Sequence, residues 1–215
     1  MRNGRILCLC VTLTLLLSAC GESSKLYPAS KNEGVFFSVP KSWQGISNAA
    51  LNKYEKVAAN DQPDSRETLV KWQVAYSRDP KVKVAQVYSL KPVKSPLVLA
   101  RVRDLTESEI NSFSYNSLRD VIVPISQLIQ GADLGIPDFQ ILIDKEIVKK
   151  GARGIQSVYS FSFAGTEQTF NQTVLMSNDR KTLYIFMARC VSTCYKKNQK
   201  VMEEIVNSYT VLGAK

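Results

Sequence analysis

An α+β fold, an antiparallel sheet flanked by helices, is what this sequence predicts, and three features predict it. Residues 139–149, 154–164, 169–177 and 181–190 read as four strands in quick succession. The separators Lys150-Gly151, Ala164-Gly165 and Asn178-Asp179 supply the backbone angles that tight hairpins require, so the four strands form a meander. Apolar stripes at helical spacing before and after it provide helices to cover the sheet.

The chain opens with Arg2 and Arg5 ahead of an apolar run from Ile6 to Leu17, which closes on Leu17-Ser18-Ala19-Cys20. A basic start, a short apolar centre and small residues before a cut are the parts of a secretory signal. The Leu-x-Ala-Cys ending resembles the bacterial lipobox, in which the cysteine is acylated and becomes the first mature residue. Residues 1–19 are therefore expected to be a lipoprotein signal peptide and Cys20 the lipid carrier. The apolar run is shorter than the roughly 20 residues of a membrane-spanning helix, and Thr12, Thr14 and Ser18 dilute it. Two or more acyl chains hold a protein stably. The expected location is thus the bacterial envelope, on a membrane surface facing away from the cytoplasm.

Residues 20–34 are polar, with Pro28 and several serines, and read as a flexible tether. Residues 35–215 are long enough for one core and short enough for one domain. Within it, 35–39 is a first strand stopped by Pro40, Trp43 is a core anchor, and 47–59 has helical character. Residues 68–77 alternate as a half-buried strand, and 82–90 and 97–102 are two more strand candidates. Thr106-Glu107-Ser108-Glu109 is a capping box, placing a helix start at Glu107. Its stripe of Ile110, Phe113, Leu118, Val121, Ile122 and Ile125 is interrupted by Pro124, which predicts a kink or a second helix beginning there. After a loop at 131–137 comes the meander, its inward face marked by Tyr159, Phe161, Phe163, Phe170, Val174 and Met176. An amphipathic helix over 195–208 closes the domain, with Val201, Met202, Ile205, Val206 and Tyr209 on its apolar side.

Of five cysteines, Cys8 and Cys10 fall in the leader and Cys20 at its cut, which leaves Cys190 and Cys194. An even pair in an exported domain is most simply a disulfide, here joining a strand end to a helix start capped by Ser192 or Thr193. The other reading is a redox-active Cys-x-x-x-Cys, although redox centres of the common kind use Cys-x-x-Cys.

The chain has 28 basic and 19 acidic residues, a formal +9 that becomes +7 without Arg2 and Arg5. A basic exported domain is drawn to anionic headgroups or acidic wall polymers. Nucleic acid is not an expected partner, since no motif for it is present. Lys145, Lys149, Lys150 and Arg153 concentrate at one hairpin. They read either as an anionic contact patch or as a solvated turn guarding a sheet edge.

The sequence contains no histidine. That removes Ser-His-Asp and Cys-His nucleophile pairs and histidine metal sites. There is no glycine-rich phosphate loop or dinucleotide fingerprint, so no catalytic residue, metal or cofactor is expected. Asp133, Asp138, Asp144 and Glu146 read as solvated charge rather than a glycosidase pair.

The order of Phe37-x-Val39-Pro40-x-x-Trp43, a mid-chain helix, Gly151-x-x-Gly154-x-Gln156-x-x-Tyr159-x-Phe161, a glutamine-containing next strand and a closing helix ending Asn207-Ser208-Tyr209-x-Val211 resembles the PsbP-like α/β/α sandwich. Bacterial lipoproteins of the LpqN type belong to that group. The resemblance covers roughly residues 35–212 and implies a binding or assembly protein without enzymatic activity. The expected function is a lipid-anchored envelope lipoprotein that binds a protein or another envelope component. A thiol-disulfide redox protein using Cys190 and Cys194 is the alternative.

Overall fold

A computed structural model describes residues 23–58 and 69–213. The expected signal peptide and Cys20 lie outside the described residues. The chain begins with four short strands, β1 (Lys25–Leu26), β2 (Ala29–Ser30), β3 (Val35–Phe36) and β4 (Val39–Pro40), and then β5 (Gln44–Ile46). Helix α1 (Asn48–Ala58), strand β6 (Val70–Ser77), helix α2 (Val84–Tyr88) and strand β7 (Leu97–Asp104) follow. Three short helices come next, α3 (Glu107–Ser112), α4 (Tyr115–Arg119) and α5 (Ile125–Ile129). The meander is β8 (Gln140–Val148), β9 (Ala152–Phe163), β10 (Thr166–Ser177) and β11 (Thr182–Val191). The chain closes with α6 (Ser192–Lys197), α7 (Gln199–Ser208) and β12 (Thr210–Val211).

Seven strands form one antiparallel sheet in the order β5-β6-β7-β11-β10-β9-β8. Side chains alternate across a strand, so register sorts the sheet into two faces. One row on the first face runs Leu97, Arg189, Phe170, Tyr159, Ile141, and its neighbour runs Leu99, Met187, Gln172, Ser157. Helices α1, α2 and α4 pack on this face. The other face carries Val98, Ala100 and Val102 of β7 with Tyr184, Phe186 and Ala188 of β11. There the Phe186 ring stacks on Tyr209, 4.6 Å between centroids, and meets Phe37 edge-on at 5.2 Å. The result is the expected α/β/α sandwich, with the apolar side of α7 (Met202, Ile205, Val206) buried as its stripe predicted.

The capping box forms as expected: Thr106 Oγ1 accepts from the Glu109 amide at 3.2 Å, and Glu109 Oε2 accepts from the Thr106 amide at 3.0 Å. Four readings of the sequence are corrected. Residues 25–34, assigned to the tether, belong to the body, because β1 pairs with β4 and β2 with β3. Short strands at 35–40 would otherwise leave backbone groups unpaired. Residues 82–90 contain helix α2, not a strand. Strands β6 and β7 pair directly with each other and leave no slot between them, and the Gln86 side chain caps the turn by accepting from the Lys83 amide at 2.7 Å. The stripe after Glu107 breaks into three helices, with Pro124 as the residue before the third. Ser192 and Thr193 do not cap the closing helix. Val191 occupies that position, and the Ser192 hydroxyl instead shares a hydrogen bond with Thr169 at 2.9 Å.

The hairpin turns also differ in detail. Ala164 and Gly165 both have positive φ, 49° and 73°, as a two-residue hairpin matching the strand twist requires. In the next turn the positive angle falls on Arg180, φ 62°. Gly151 is needed for a different reason: a Cβ there would lie 2.3 Å from the Gly213 backbone nitrogen.

Candidate functional site

Between α1 and α2 on one side and α3, α4 and residues 120–122 on the other, the first face of the sheet is left partly open. The gap is a cleft of about 790 Å³, within the range of small-molecule sites. Its floor is Leu99, Ile185, Met187 and Phe170, and its walls include Val87, Leu90, Phe113, Val121 and Ile122. Charged groups stand among these apolar ones. Leu97, Leu99, Arg101 and Arg103 share one face of β7 and the last three line the cleft, so two arginines continue an apolar row.

Each of the two has a carboxylate. Arg101 pairs with Glu55 of α1, whose Oε2 also accepts from Gln73 Nε2 at 2.6 Å. The Tyr88 hydroxyl donates to Gln73 Oε1 at 3.0 Å, tying α2 into the same network. Burial, and then the nearby Glu55 charge, hold the Tyr88 phenol well above its usual range. Arg103 meets Glu109 with both guanidinium nitrogens at 2.8 Å. This is the two-pronged geometry that suits arginine and carboxylate. Glu109 thus closes the start of α3 and one end of the cleft at once.

The third arginine meets no carboxylate among the described residues. Arg189 is fully buried on β11. Its NH1 donates to Lys91 O at 3.1 Å and Gln168 Oε1 at 3.2 Å, and its NH2 donates to Gln86 O at 2.6 Å and to Ser89 O. The guanidinium lies over the Phe170 ring, 5.2 Å from its centroid. Burial pulls its pKa down to about 10, which leaves it charged at neutral pH. Its Nε, buried, has no hydrogen-bond partner among the described residues. The chain therefore keeps one positive charge beneath the cleft, stabilised by oxygen dipoles and an aromatic face.

Cys190 and Cys194 stand with their sulfurs at bonding distance and Cα atoms 5.9 Å apart. Cys190 is the last residue but one of β11 and Cys194 lies in the first turn of α6, both buried and on the layer opposite the cleft. The basic cluster is divided. Lys145 faces Gln156 on one side of the sheet, while Arg153 faces Met176 on the other. Lys149 and Lys150 occupy the turn between them. Of the acidic residues set aside, Asp144 pairs with Arg119 at 2.9 Å, and Asp138 Oδ2 accepts from Ser162 at 2.6 Å.

No motif in the sequence marks the cleft, although β7 holds a signal for it. An apolar row that passes into arginine on the same face announces a covered polar site. Arg189 carried the same signal, as a lone charge closing the apolar run 183–188. Among the described residues, no group of three or more cysteine, aspartate or glutamate side chains is placed to hold a metal ion. No helix among them is long and apolar enough to cross a membrane.

The architecture defines the class as an α/β/α sandwich on an antiparallel sheet. Compared with solved structures, the chain is similar to cyanobacterial PsbP from Synechocystis, at 12% identity and TM-score 0.48, covering 90% of this chain and 95% of that one. It is also similar to LpqN, described as involved in cell envelope biogenesis of Mycobacterium tuberculosis, at 13% identity and TM-score 0.47, covering 87% and 90%. The Ran-binding protein Mog1p of Saccharomyces cerevisiae matches at 7% identity and TM-score 0.46, covering 88% and 96%. No family model matches the chain, and no curated protein matches it.

Proposed function

We propose that this chain is an exported, lipid-anchored binding module without catalytic activity, held to a membrane through Cys20 and using the cleft to hold a protein or envelope component. One observation carries the binding reading: a cleft of about 790 Å³ with an apolar floor and three arginines, two neutralised by carboxylates and one, Arg189, by none among the described residues. Its polar groups are committed to fixed ion pairs and backbone carbonyls, which gives rigid walls of the kind that bind with little ordering cost. The lipobox-like ending at Cys20 supports the anchor, and the formal +7 of the mature chain favours an acidic envelope polymer or a negatively charged surface nearby.

Burial of both Cys190 and Cys194 supports a structural staple over the redox alternative, since reactive thiols sit in partly exposed sites.

Native mass spectrometry of protein extracted from the membrane fraction in mild detergent tests both parts. The expected spectrum shows acyl mass on Cys20 and a bound component. Cys20→Ser should lose the acyl mass and leave the membrane fraction. Ser112→Trp, on the exposed rim of the cleft, should lose only the bound component. A bound mass unaffected by Ser112→Trp would show that the cleft is not its site.

A further inference from the structure

Strand β8 is the outer edge of the seven-stranded sheet. It pairs with β9 on one side and with no strand among the described residues on the other. The opposite edge, β5, has three residues, whereas β8 has nine, all exposed except the half-buried Ile147. A long exposed edge is a template for another strand, and folded proteins normally shorten or cover it. This one holds Ile141, Leu142, Ile143 and Val148 in water, Val148 at 76% exposure.

Register defines what such a strand would meet. Ile143, Lys145 and Ile147 stand opposite Val158, Gln156 and Gly154 on one face, and Lys149 continues the series. That face therefore alternates apolar, basic, apolar, basic. Neither lysine has an ion-pair partner among the described residues. Asp144 lies on the other face, opposite Ser157, and is neutralised by Arg119. Strand β8 contributes nothing to the cleft lining.

We propose that β8 is a docking edge for an extended segment of a partner protein, added as an eighth strand. On the face it shares with Lys145 and Lys149, the segment carries acidic residues opposite the lysines and apolar residues opposite Ile143 and Ile147. Main-chain hydrogen bonds supply affinity in this mode and alternate side chains supply specificity. A second copy of the chain fits the edge less well. Antiparallel pairing centred on Lys145 sets that lysine against its own mate and, on the other face, Asp144 against Glu146. The lysines that oppose self-pairing are the ones that select an acidic strand.

The test uses the full-length protein in mild detergent and a synthetic peptide with threonine at every second position, glutamate and valine alternating between. Its control has the same composition with the glutamates adjacent. The alternating peptide is expected to bind about tenfold more tightly than the control and to slow amide exchange across 140–148. Lys145→Glu, at an exposed position, should weaken it about tenfold without changing the thermal melt. Equal binding of the two peptides would reduce the contact to unspecific charge and overturn the proposal. So would unchanged exchange in β8, or a concentration-dependent dimer whose formation slows β8 exchange in the absence of peptide.

Discussion

A single buried guanidinium decides whether the wall of the cleft holds its shape. Arg189 gathers three backbone carbonyls from residues 86–91 and the Gln168 side chain, so α2 and the segment after it are fastened to β11 by one side chain. Arg189→Met removes the charge but orphans carbonyls in a dry site, where each lost partner costs about 1–3 kcal/mol. We expect a loss of roughly 3 kcal/mol in denaturant unfolding, with faster amide exchange concentrated in 84–91. Arg189→Lys should recover little of it, because one ammonium does not reproduce a planar fork with two pairs of contacts. An unchanged unfolding midpoint for Arg189→Met would show that the segment is held without the guanidinium, by packing and by bonds such as Gln168 Nε2 to Leu90 O at 2.6 Å.

At the scale of elements, the disulfide fixes where α6 leaves β11. The loop it closes spans four residues of sequence separation. On loop entropy alone its contribution is smaller than the roughly 3 kcal/mol of a 15-residue loop. Cys190→Ser should thus lower stability modestly and raise exchange in 192–197, leaving the cleft face unaltered. A protein that no longer folds after this change would assign the pair a far larger role. The meander was legible from sequence because strict alternation and turn residues are local properties, and all four of its strands lie where they were expected. The segment 82–90 was not. Val82, Val84 and Tyr88 alternate as they would in a strand, and only the direct pairing of β6 with β7 excludes one. The cleft was hidden for a related reason, since Glu55, Arg101, Glu109 and Arg189 come from two helices and two strands that only the packed fold brings together.

For the whole molecule, buried phenols set the alkaline limit. Burial holds Tyr159 and Tyr209, both fully enclosed, and Tyr88 beside Glu55 well above the usual tyrosine range. A phenol raised in the folded state ionises first in the unfolded chain. Its stabilising contribution is therefore complete below about pH 10 and is lost as pH rises beyond that. Phenolate absorbance from these three should appear together with the collapse of circular dichroism during alkaline titration. If it appears while the dichroism is still native, the phenols are accessible and the core is looser than described.

We propose different work for the two layers on either side of the sheet: the helices around the cleft hold the bound component, and α6, joined to β11 by the disulfide, fixes how the closing helices pack. Photo-crosslinking in intact cells separates these roles most directly. A benzophenone side chain replaces Phe113 at the cleft in one strain and the exposed Lys196 on α6 in another. A discrete adduct is expected from position 113, absent from position 196 and lost when Ser112→Trp fills the rim. Adducts of equal yield from both positions, or from 196 alone, would contradict it.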